Sequence, residues 1–495
     1  MKKPSGKISR RDLMMGSTAV GGLALLGTPG FSFAQAAAAA SAAPSSNLDD
    51  LAGLLRGDLI LPHHDGYNEA RKVWNGMIDK HPAAIARCSG AADVMDVVKY
   101  AREKGIPVSV RGGGHNVAGK ALKDGAITID LGGMHGVRVD AAKKRARVQG
   151  GAKWAAVDRE TLAFDLVTTG GTVSATGVGG LTLGGGLGWI MRKHGLSCDN
   201  VMSADVVTAD GRLLVANKNE NSDLYWAIRG GGGNFGVVTS FEFKLHDLEP
   251  ITGGMAMYPQ SMLKDMFHFY RDYTSKAPDS VSAGAGVIVG PPGTALEGQS
   301  AGVIIVCHKG PAGDGERLVK PIKDFGPPAL DFIGPTTYKA QQSLFDAGSP
   351  PGLRNYWRSN MMTELSDAAI DALVARAGEL PPPASMIFVE HMGGAVGRVG
   401  AHDTAFSNRH AQYNTSVFGT WVNADEDERN IAWVRTFGDE LRKFATGGAY
   451  VNYMAADEAA GNIKAAYDAN FKRLTEVKRK YDPTNFFSGN QNITP

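Results

Sequence analysis

At 495 residues the chain has room for two or three domains, and a 43% hydrophobic share with 64 glycines marks it as globular and loop-rich rather than disordered. Its net charge of +2 is carried by the N-terminus: without residues 1–36, which hold Lys2, Lys3, Lys7, Arg10 and Arg11 against Asp12, it becomes −2. A near-neutral chain makes no electrostatic case for nucleic acid or an anionic membrane surface, and three scattered cysteines, Cys88, Cys198 and Cys307, form no disulfide framework.

Residues 1–36 read as an export signal. Ser9-Arg10-Arg11-Asp12-Leu13-Met14-Met15 is a twin-arginine pattern after a basic start, followed by an apolar Gly/Ala/Leu stretch and the small-residue cleavage site Ala34-Gln35-Ala36. This points to the twin-arginine translocase as a partner, to a periplasmic or secreted location, and to removal of the signal rather than a stable membrane anchor. Residues 37–46 are a low-complexity linker, expected to be disordered.

Val94, Val97, Val98 and Ala101 give Asp93–Glu103 helical spacing. A strand, Pro107–Val110, then runs into Arg111-Gly112-Gly113-Gly114-His115. Three glycines allow positive φ and close backbone approach to a ligand, and their amides can converge on a diphosphate. The arginine could add charge-assisted hydrogen bonds, and the histidine stands where it could touch the ligand's chemistry. No Lys-Ser/Thr follows the glycines, so this is not a P-loop. Ala126–Leu131, Val137–Asp140 and Arg145–Gln149 read as strands and Trp154–Phe164 as a helix.

A second glycine block spans Gly170–Gly180 and continues at Gly184–Gly188. Val201–Thr208 and Arg212–Val215 form a hairpin about Asp210-Gly211, and a helix at Asp223–Ala227 leads to a third block, Gly230–Gly236. Gly231, Gly233 and Gly236 spell a dinucleotide fingerprint, but a helix precedes them and the strand-like Val237–Phe243 follows. The order is the reverse of what a nicotinamide-type site requires. Three such blocks in one domain fit a long ligand wrapped by backbone.

The pattern changes near Leu248-Glu249-Pro250. Strand-like runs at Ala285–Val289, Gly302–Cys307, Ser385–Glu390 and Ser416–Val422 alternate with helical ones at Asp367–Ala377 and Glu426–Phe444. Sheet and helices without βαβ repetition indicate an α+β domain. A helix over Ala465–Arg479 precedes the Asp482-Pro483 turn.

Arg111–His115, Gly195–Asn200, Gly230–Val238, Tyr450-Val451-Asn452-Tyr453 and Tyr481–Asn492, in this order, resemble the berberine-bridge-enzyme-like family of FAD-linked oxidases. The resemblance implies a vanillyl-alcohol-oxidase/p-cresol-methylhydroxylase (PCMH) type α+β fold: an FAD-binding domain of two α+β subdomains over residues 47–249, a substrate domain with an antiparallel sheet flanked by helices over 250–448, and a C-terminal segment, 449–495, returning to the FAD domain. FAD would contact Arg111, Gly112, Gly113, Gly114, His115 and Asn116 in the first block. In the second it would contact Gly171, Thr172, Val173, Thr176, Gly177, Gly180 and Gly185. Asn234, Gly236, Val238, Asn490 and Asn492 would complete the set.

His115 matches the histidine that bonds covalently to the flavin 8α-methyl carbon. Many relatives add a second link from a cysteine. Here Val173 stands at that position, so one attachment through His115 is expected, with Cys198 a packed thiol. Tyr450 is the expected base and Tyr453 its alternate; read as a strand, Tyr450 and Asn452 would share one face and Tyr453 take the other. A phenol with a pKa of about 10 needs its anion stabilised to serve at neutral pH. Glu390, His391, Asn414 and Ser416 are the substrate-pocket candidates, while Tyr356-Trp357-Arg358 could equally be core, surface or substrate platform.

The expected activity is oxidation of an alcohol or amine group of a small molecule, a sugar or secondary metabolite, by hydride transfer to flavin. Molecular oxygen would regenerate the flavin and give hydrogen peroxide. A dehydrogenase using a quinone or protein acceptor, or a flavin-containing binding protein with little turnover, are the alternatives. Thr172, beside the flavin, leaves the choice of acceptor open, and no C-x-x-C-H haem motif occurs. His63-His64-Asp65 is read as solvated, and no metal is assigned.

Overall fold

The computed structural model describes residues 48–495. The export signal, the linker and the first residue of the expected FAD domain lie outside the described residues.

Two small sheets come first. Strands β1 (Asp58–Ile60), β2 (Ala84–Arg87), β3 (Val108–Arg111) and β4 (Ile127–Asp130) stand in the order β1-β2-β4-β3, with β2, β4 and β3 parallel. The helix Ala91–Glu103 covers this sheet because Val94, Val97, Val98 and Ala101 form one apolar face, all fully buried. Strands β5 (Val137–Asp140), β6 (Arg145–Gln149), β7 (Leu166–Val167), β8 (Val201–Val207), β9 (Leu213–Asn217), β10 (Val237–Lys244) and β11 (His246–Asp247) follow. Five of them make an antiparallel sheet, β5-β6-β10-β8-β9, and β7 pairs with β11. The hairpin about Asp210-Gly211 joins β8 to β9 as expected.

The large sheet begins at Ile251, directly after Pro250. It contains β12 (Ile251–Pro259), β13 (Val281–Val289), β14 (Ser300–Lys309), β15 (Leu330–Asp331), β16 (Gly334–Thr336), β17 (Arg354–Met362), β18 (Met386–His391) and β19 (Tyr413–Trp421). Its antiparallel order is β15-β12-β14-β13-β18-β19-β17, with β16 also on β12. Strict alternation gives this sheet two buried faces. Ile304, Val306, Ile387, Val389 and Val417 pack under the helices Leu263–Thr274, Asp367–Ala375 and Asp427–Arg442. Val303, Ile305, Phe388 and Phe418 face the other way, toward Trp189, Ile190 and Val167 of the first half. That second face also carries Glu390, Asn414 and Ser416, by the same period of two.

The tail runs back onto the five-stranded sheet, where Leu474, Val477, Tyr481 and Ile493 join the core of Trp154, Phe241 and Phe243. The single helix expected over Ala465–Arg479 is two, Ala460–Tyr467 and Phe471–Tyr481. Asp468, at φ 45°, breaks it, and the intervening turn is fixed by Asn470 Nδ2 donating to the carbonyls of Ala401 (2.7 Å) and Thr404 (3.2 Å).

Candidate functional site

A long cleft, open at its mouth, lies between the glycine loops of the first half and the inner face of the large sheet. Gly112–Asn116 line it from the end of β3, Thr172, Val173, Thr176 and Gly177 from the second block, and Gly232–Asn234 with Gly236–Val238 from the third. Asn490 and Gln491 of the tail close it. The first two loops touch backbone to backbone: a Cβ on Gly113 would stand 2.5 Å from the Gly177 Cα, and one on Gly177 would stand 2.4 Å from the Gly113 nitrogen. Only glycine at both positions permits that approach. Asn234 ties the third loop to the tail: its Nδ2 donates to the carbonyls of Gly231 (2.9 Å) and Gln491 (3.1 Å), and its Oδ1 accepts from Ile493 N (3.1 Å). Asn490 Nδ2 donates to the Gly233 carbonyl at 2.7 Å.

Several expected contacts stand elsewhere. Arg111 does not face the cleft; it is opposite Asp130 in the parallel β3/β4 register, and its guanidinium pairs with that carboxylate at 2.5 and 3.1 Å and with the Ala70 carbonyl. Its charge serves the sheet instead of a diphosphate. Gly171 turns its carbonyl to Gln342 Nε2 (2.6 Å), behind the lining residues Thr172 and Val173. Gly185, at φ 122°, packs against Phe406 and Tyr450. Asn492 is not a lining residue, and its Oδ1 is buried without a partner among the described residues. His391 follows Glu390 on β18 and so points to the opposite face, where Arg192 Nη1 meets its Nε2 at 2.9 Å. It lines a second cavity behind the sheet.

His115 lines the cleft as expected. Its imidazole stacks on Trp74, with ring centroids 4.3 Å apart and planes 14° from parallel. Burial, with a smaller contribution from Lys153, pushes its pKa down to about 4, so the ring is neutral at physiological pH. Its Nε2 is buried with no hydrogen-bond partner among the described residues.

The end of the cleft beside the large sheet is aromatic. Trp357 stands 5.4 Å from Trp74, 4.9 Å from Phe418 and 5.5 Å from Tyr453, ring centre to ring centre, and its indole N–H is buried and unpartnered among the described residues. Tyr450 and Tyr453 are not on opposite faces of a strand. After the extended Tyr450 the chain takes one 3₁₀ turn, Val451–Tyr453, closed by Tyr453 N donating to the Tyr450 carbonyl at 2.9 Å. The turn brings the two rings edge to face at 4.8 Å. Tyr450 Oη accepts from Gly186 N (2.9 Å) and Asn452 Nδ2 (2.8 Å), the donors a phenolate would need. Burial nevertheless dominates and raises the Tyr450 phenol well above its ordinary value; burial does the same to Tyr453.

Glu390 is the titratable group closest to neutrality here. Burial raises its carboxyl to about 7, against the lowering effect of Asn414 Nδ2 (2.6 Å to Oε2) and of the Tyr453 hydroxyl (3.4 Å to Oε1). Asn414 Nδ2 also donates to Ser416 Oγ at 3.3 Å, and Asn414 Oδ1 has no partner among the described residues. Three of the four sequence-derived pocket candidates therefore form one buried cluster against Tyr453.

The arrangement fits FAD. Backbone-only walls at the glycine loops leave room for a diphosphate and present amides to it, and a neutral imidazole stands at the wall with its Nε2 unpartnered among the described residues. A carboxyl titrating near neutral pH lies behind the tyrosine pair at the far end. Sequence reading missed Trp74 altogether, because its stack with His115 joins residues 41 positions apart with no local pattern.

Residues 82–217 match the model of an FAD binding domain family, and residues 449–494 that of the family described as berberine and berberine like. An FAD-linked oxidoreductase of Dictyostelium discoideum is 30% identical over 427 residues, 86% of this chain and 91% of the relative. Among solved structures, 6-hydroxy-D-nicotine oxidase from Arthrobacter nicotinovorans superposes with a TM-score of 0.81 at 27% identity, covering 89% of this chain and 98% of that one. A glucooligosaccharide oxidase from Acremonium strictum, whose flavin is described as 6-S-cysteinyl, 8α-N1-histidyl FAD, has a TM-score of 0.83 at 24% identity, covering 91% of this chain and 99% of its own; at that identity it speaks for the fold alone.

Proposed function

Since the chain belongs to the berberine-like family of FAD-linked oxidoreductases, we propose that it oxidises an alcohol or amine group of a small molecule, such as a sugar or secondary metabolite, with FAD held covalently by His115 alone. The observation that carries this reading is the cleft itself: a neutral His115 on its wall, its Nε2 without a partner among the described residues, and a buried Glu390 behind Tyr453 at its end. When bound, FAD supplies the two-electron acceptor for the substrate's hydride. The chain's own residues do the rest. Trp357, Tyr450 and Tyr453 form an apolar wall that excludes water and orients the substrate's C–H bond. Glu390, ionised above about pH 7, takes the substrate's O–H or N–H proton through the Tyr453 hydroxyl.

This assigns the base to Glu390 in place of Tyr450. The phenol is raised by burial, whereas the carboxyl sits where a base operating near neutrality should. Tyr450, its oxygen occupied by Gly186 N and Asn452 Nδ2, positions substrate with its remaining O–H. Val173 stands at the position of the second attachment in bicovalent relatives and cannot form a thioether, which supports a single tether. Oxygen is the proposed acceptor, with peroxide the product.

His115→Ala is expected to release the yellow colour into the supernatant on acid precipitation, where the unaltered protein keeps it in the pellet. A pellet that stays yellow in the variant, or a cysteinyl-flavin peptide, would overturn the single histidyl link. Anaerobic bleaching against a panel of alcohols, sugars and amines, followed by admission of oxygen, tests the activity. Bleaching without peroxide on reoxidation favours a dehydrogenase with a quinone or protein acceptor, and no bleaching across the panel favours a binding protein.

We further propose that residues 1–36 send the folded, flavin-loaded chain through the twin-arginine translocase to the periplasm or beyond, on the strength of Arg10-Arg11 and Ala34-Gln35-Ala36. Replacing both arginines by lysine should hold the protein in the cytoplasm; unchanged export of that variant sinks the proposal.

A further inference from the structure

Trp74-Asn75-Gly76 is a short segment without regular structure that hydrogen-bonds in two directions. Toward the cofactor loop, Trp74 N donates to the Gly114 carbonyl (3.1 Å) and Asn75 Nδ2 to the Val117 carbonyl (2.7 Å). Toward the approach to β17, Trp74 Nε1 donates to the Ser349 carbonyl (3.0 Å), Gly76 N to the Leu353 carbonyl (2.8 Å), and Asn75 Nδ2 to the Asn355 carbonyl (2.8 Å). In return Gly352 N donates to the Trp74 carbonyl (2.9 Å) and Asn355 N to Asn75 Oδ1 (2.9 Å). The segment stitches the His115 loop to the large sheet, and Asn75 is only 1% exposed. Both the backbone and the indole N–H of Trp74 are thus fixed, and its ring lies flat on His115.

A histidine ring is soft about its terminal torsion, where the wells are broad and roughly two-fold. His115 Nε2 has no hydrogen-bond partner among the described residues, so the flat stack on Trp74 is the restraint on the ring plane beyond the bond to its own backbone. We propose that Trp74 is a positioning residue for covalent flavin attachment, holding the His115 imidazole in the one plane from which a ring nitrogen can bond the 8α carbon. The inference rests on the histidyl link proposed above. In that step one N–C bond forms, one C–H bond of the 8α-methyl and one imidazole N–H bond break, and the two protons and two electrons go to the isoalloxazine. An acceptor such as oxygen then restores its oxidised form and becomes hydrogen peroxide. Trp74 takes no part in this exchange; it reduces the orientations that must be searched.

The test is the share of flavin that is acid-stable in freshly purified protein, measured beside total flavin. Trp74→Leu is expected to bind flavin in full yet attach it about 100-fold more slowly, the cost of a small misplacement. Its acid-stable share therefore starts low and climbs on incubation. Trp74→Phe keeps a stacking ring, loses only the bond to Ser349, and should restore the fast phase. A wild-type acid-stable share in Trp74→Leu overturns the proposal, as does a Trp74→Phe variant that attaches as slowly as the leucine one. If Trp74→Leu yields no soluble protein, Trp74→Phe decides: a retained fast phase supports the role, and slow attachment with full total flavin refutes it. His115→Ala, run in parallel, tells the two failures apart: flavin that stays acid-stable in that variant refutes the histidyl link and the Trp74 role with it, whereas acid-labile flavin there together with a wild-type acid-stable share in Trp74→Leu refutes the Trp74 role alone.

Discussion

Replacing Glu390 with glutamine is expected to lower the rate of flavin reduction by about 10²–10⁴-fold, the usual worth of a positioned general base. Glutamine keeps the shape and can still meet Asn414 and Tyr453, so the loss should fall on the chemical step more than on substrate binding. The unaltered enzyme's rate should rise with pH through about 7, as the carboxyl raised by burial loses its proton, and that limb should vanish in Glu390→Gln. Anaerobic stopped-flow reduction across pH 5–9 reads both effects; a limb that persists in the variant assigns the base elsewhere. Stability should move the other way. Between the ordinary carboxyl value and about 7, the folded chain holds a proton that the unfolded chain has released. The contribution of this group is therefore full at acid pH and lost as pH rises through 7.

The second large effect is expected at Lys478. Its ammonium is fully buried with the Asp482 carboxylate at 2.7 Å and donates to the carbonyls of Asn234 (2.8 Å) and Phe487 (3.2 Å). Asp482 in turn accepts from Phe486 N and Phe487 N, which turns the tail toward the cleft. Lys478→Met strands that carboxylate in the core and should cost about 3–5 kcal/mol of stability. It should also lower the share of chains loaded with flavin, because Asn234 and the tail lose a common anchor. Lys480→Met, which removes an exposed ion pair with Asp223, should cost no more than about 1 kcal/mol. Urea midpoints of the two variants, compared with the unaltered protein, check the contrast, and similar midpoints for both would show that the buried pair is not the anchor described.

What could be read from the sequence were features whose cause is local. The glycine blocks, the inverted order of helix and strand around Gly230–Gly236, the amphipathic helix Ala91–Glu103 and the hairpin about Asp210-Gly211 all follow from spacing and turn chemistry. Glu390 was a pocket candidate by its place at a strand end, and Asn414 and Ser416 by the family resemblance; the period of two along β18 and β19 is what puts the three on one face. The misreadings have a common origin in partners far along the chain. Arg111 looked like an anion ligand until Asp130, its neighbour in parallel register, claimed it. Tyr450–Tyr453, with its aromatic and β-branched residues, has the composition of a strand. A 3₁₀ turn wins because the Tyr450 hydroxyl is bonded to Gly186, 264 residues earlier. Trp74 carried no signal, since nothing near it in sequence marks it as a partner of His115.

The backbone contact of Gly113 with Gly177, together with the closure of the cleft by Asn490 and Gln491, means that the cofactor site exists only in the finished tertiary structure. A partly folded chain offers FAD fragments of a wall. A ligand that binds only the folded form stabilises it in proportion to the logarithm of its free concentration, so a dissociable flavin would leave the fold dependent on the local supply. The tether proposed at His115 removes that dependence: once made, it keeps the stabilising ligand at the site through dilution, and the protein carries its own supply into any compartment where free flavin is scarce.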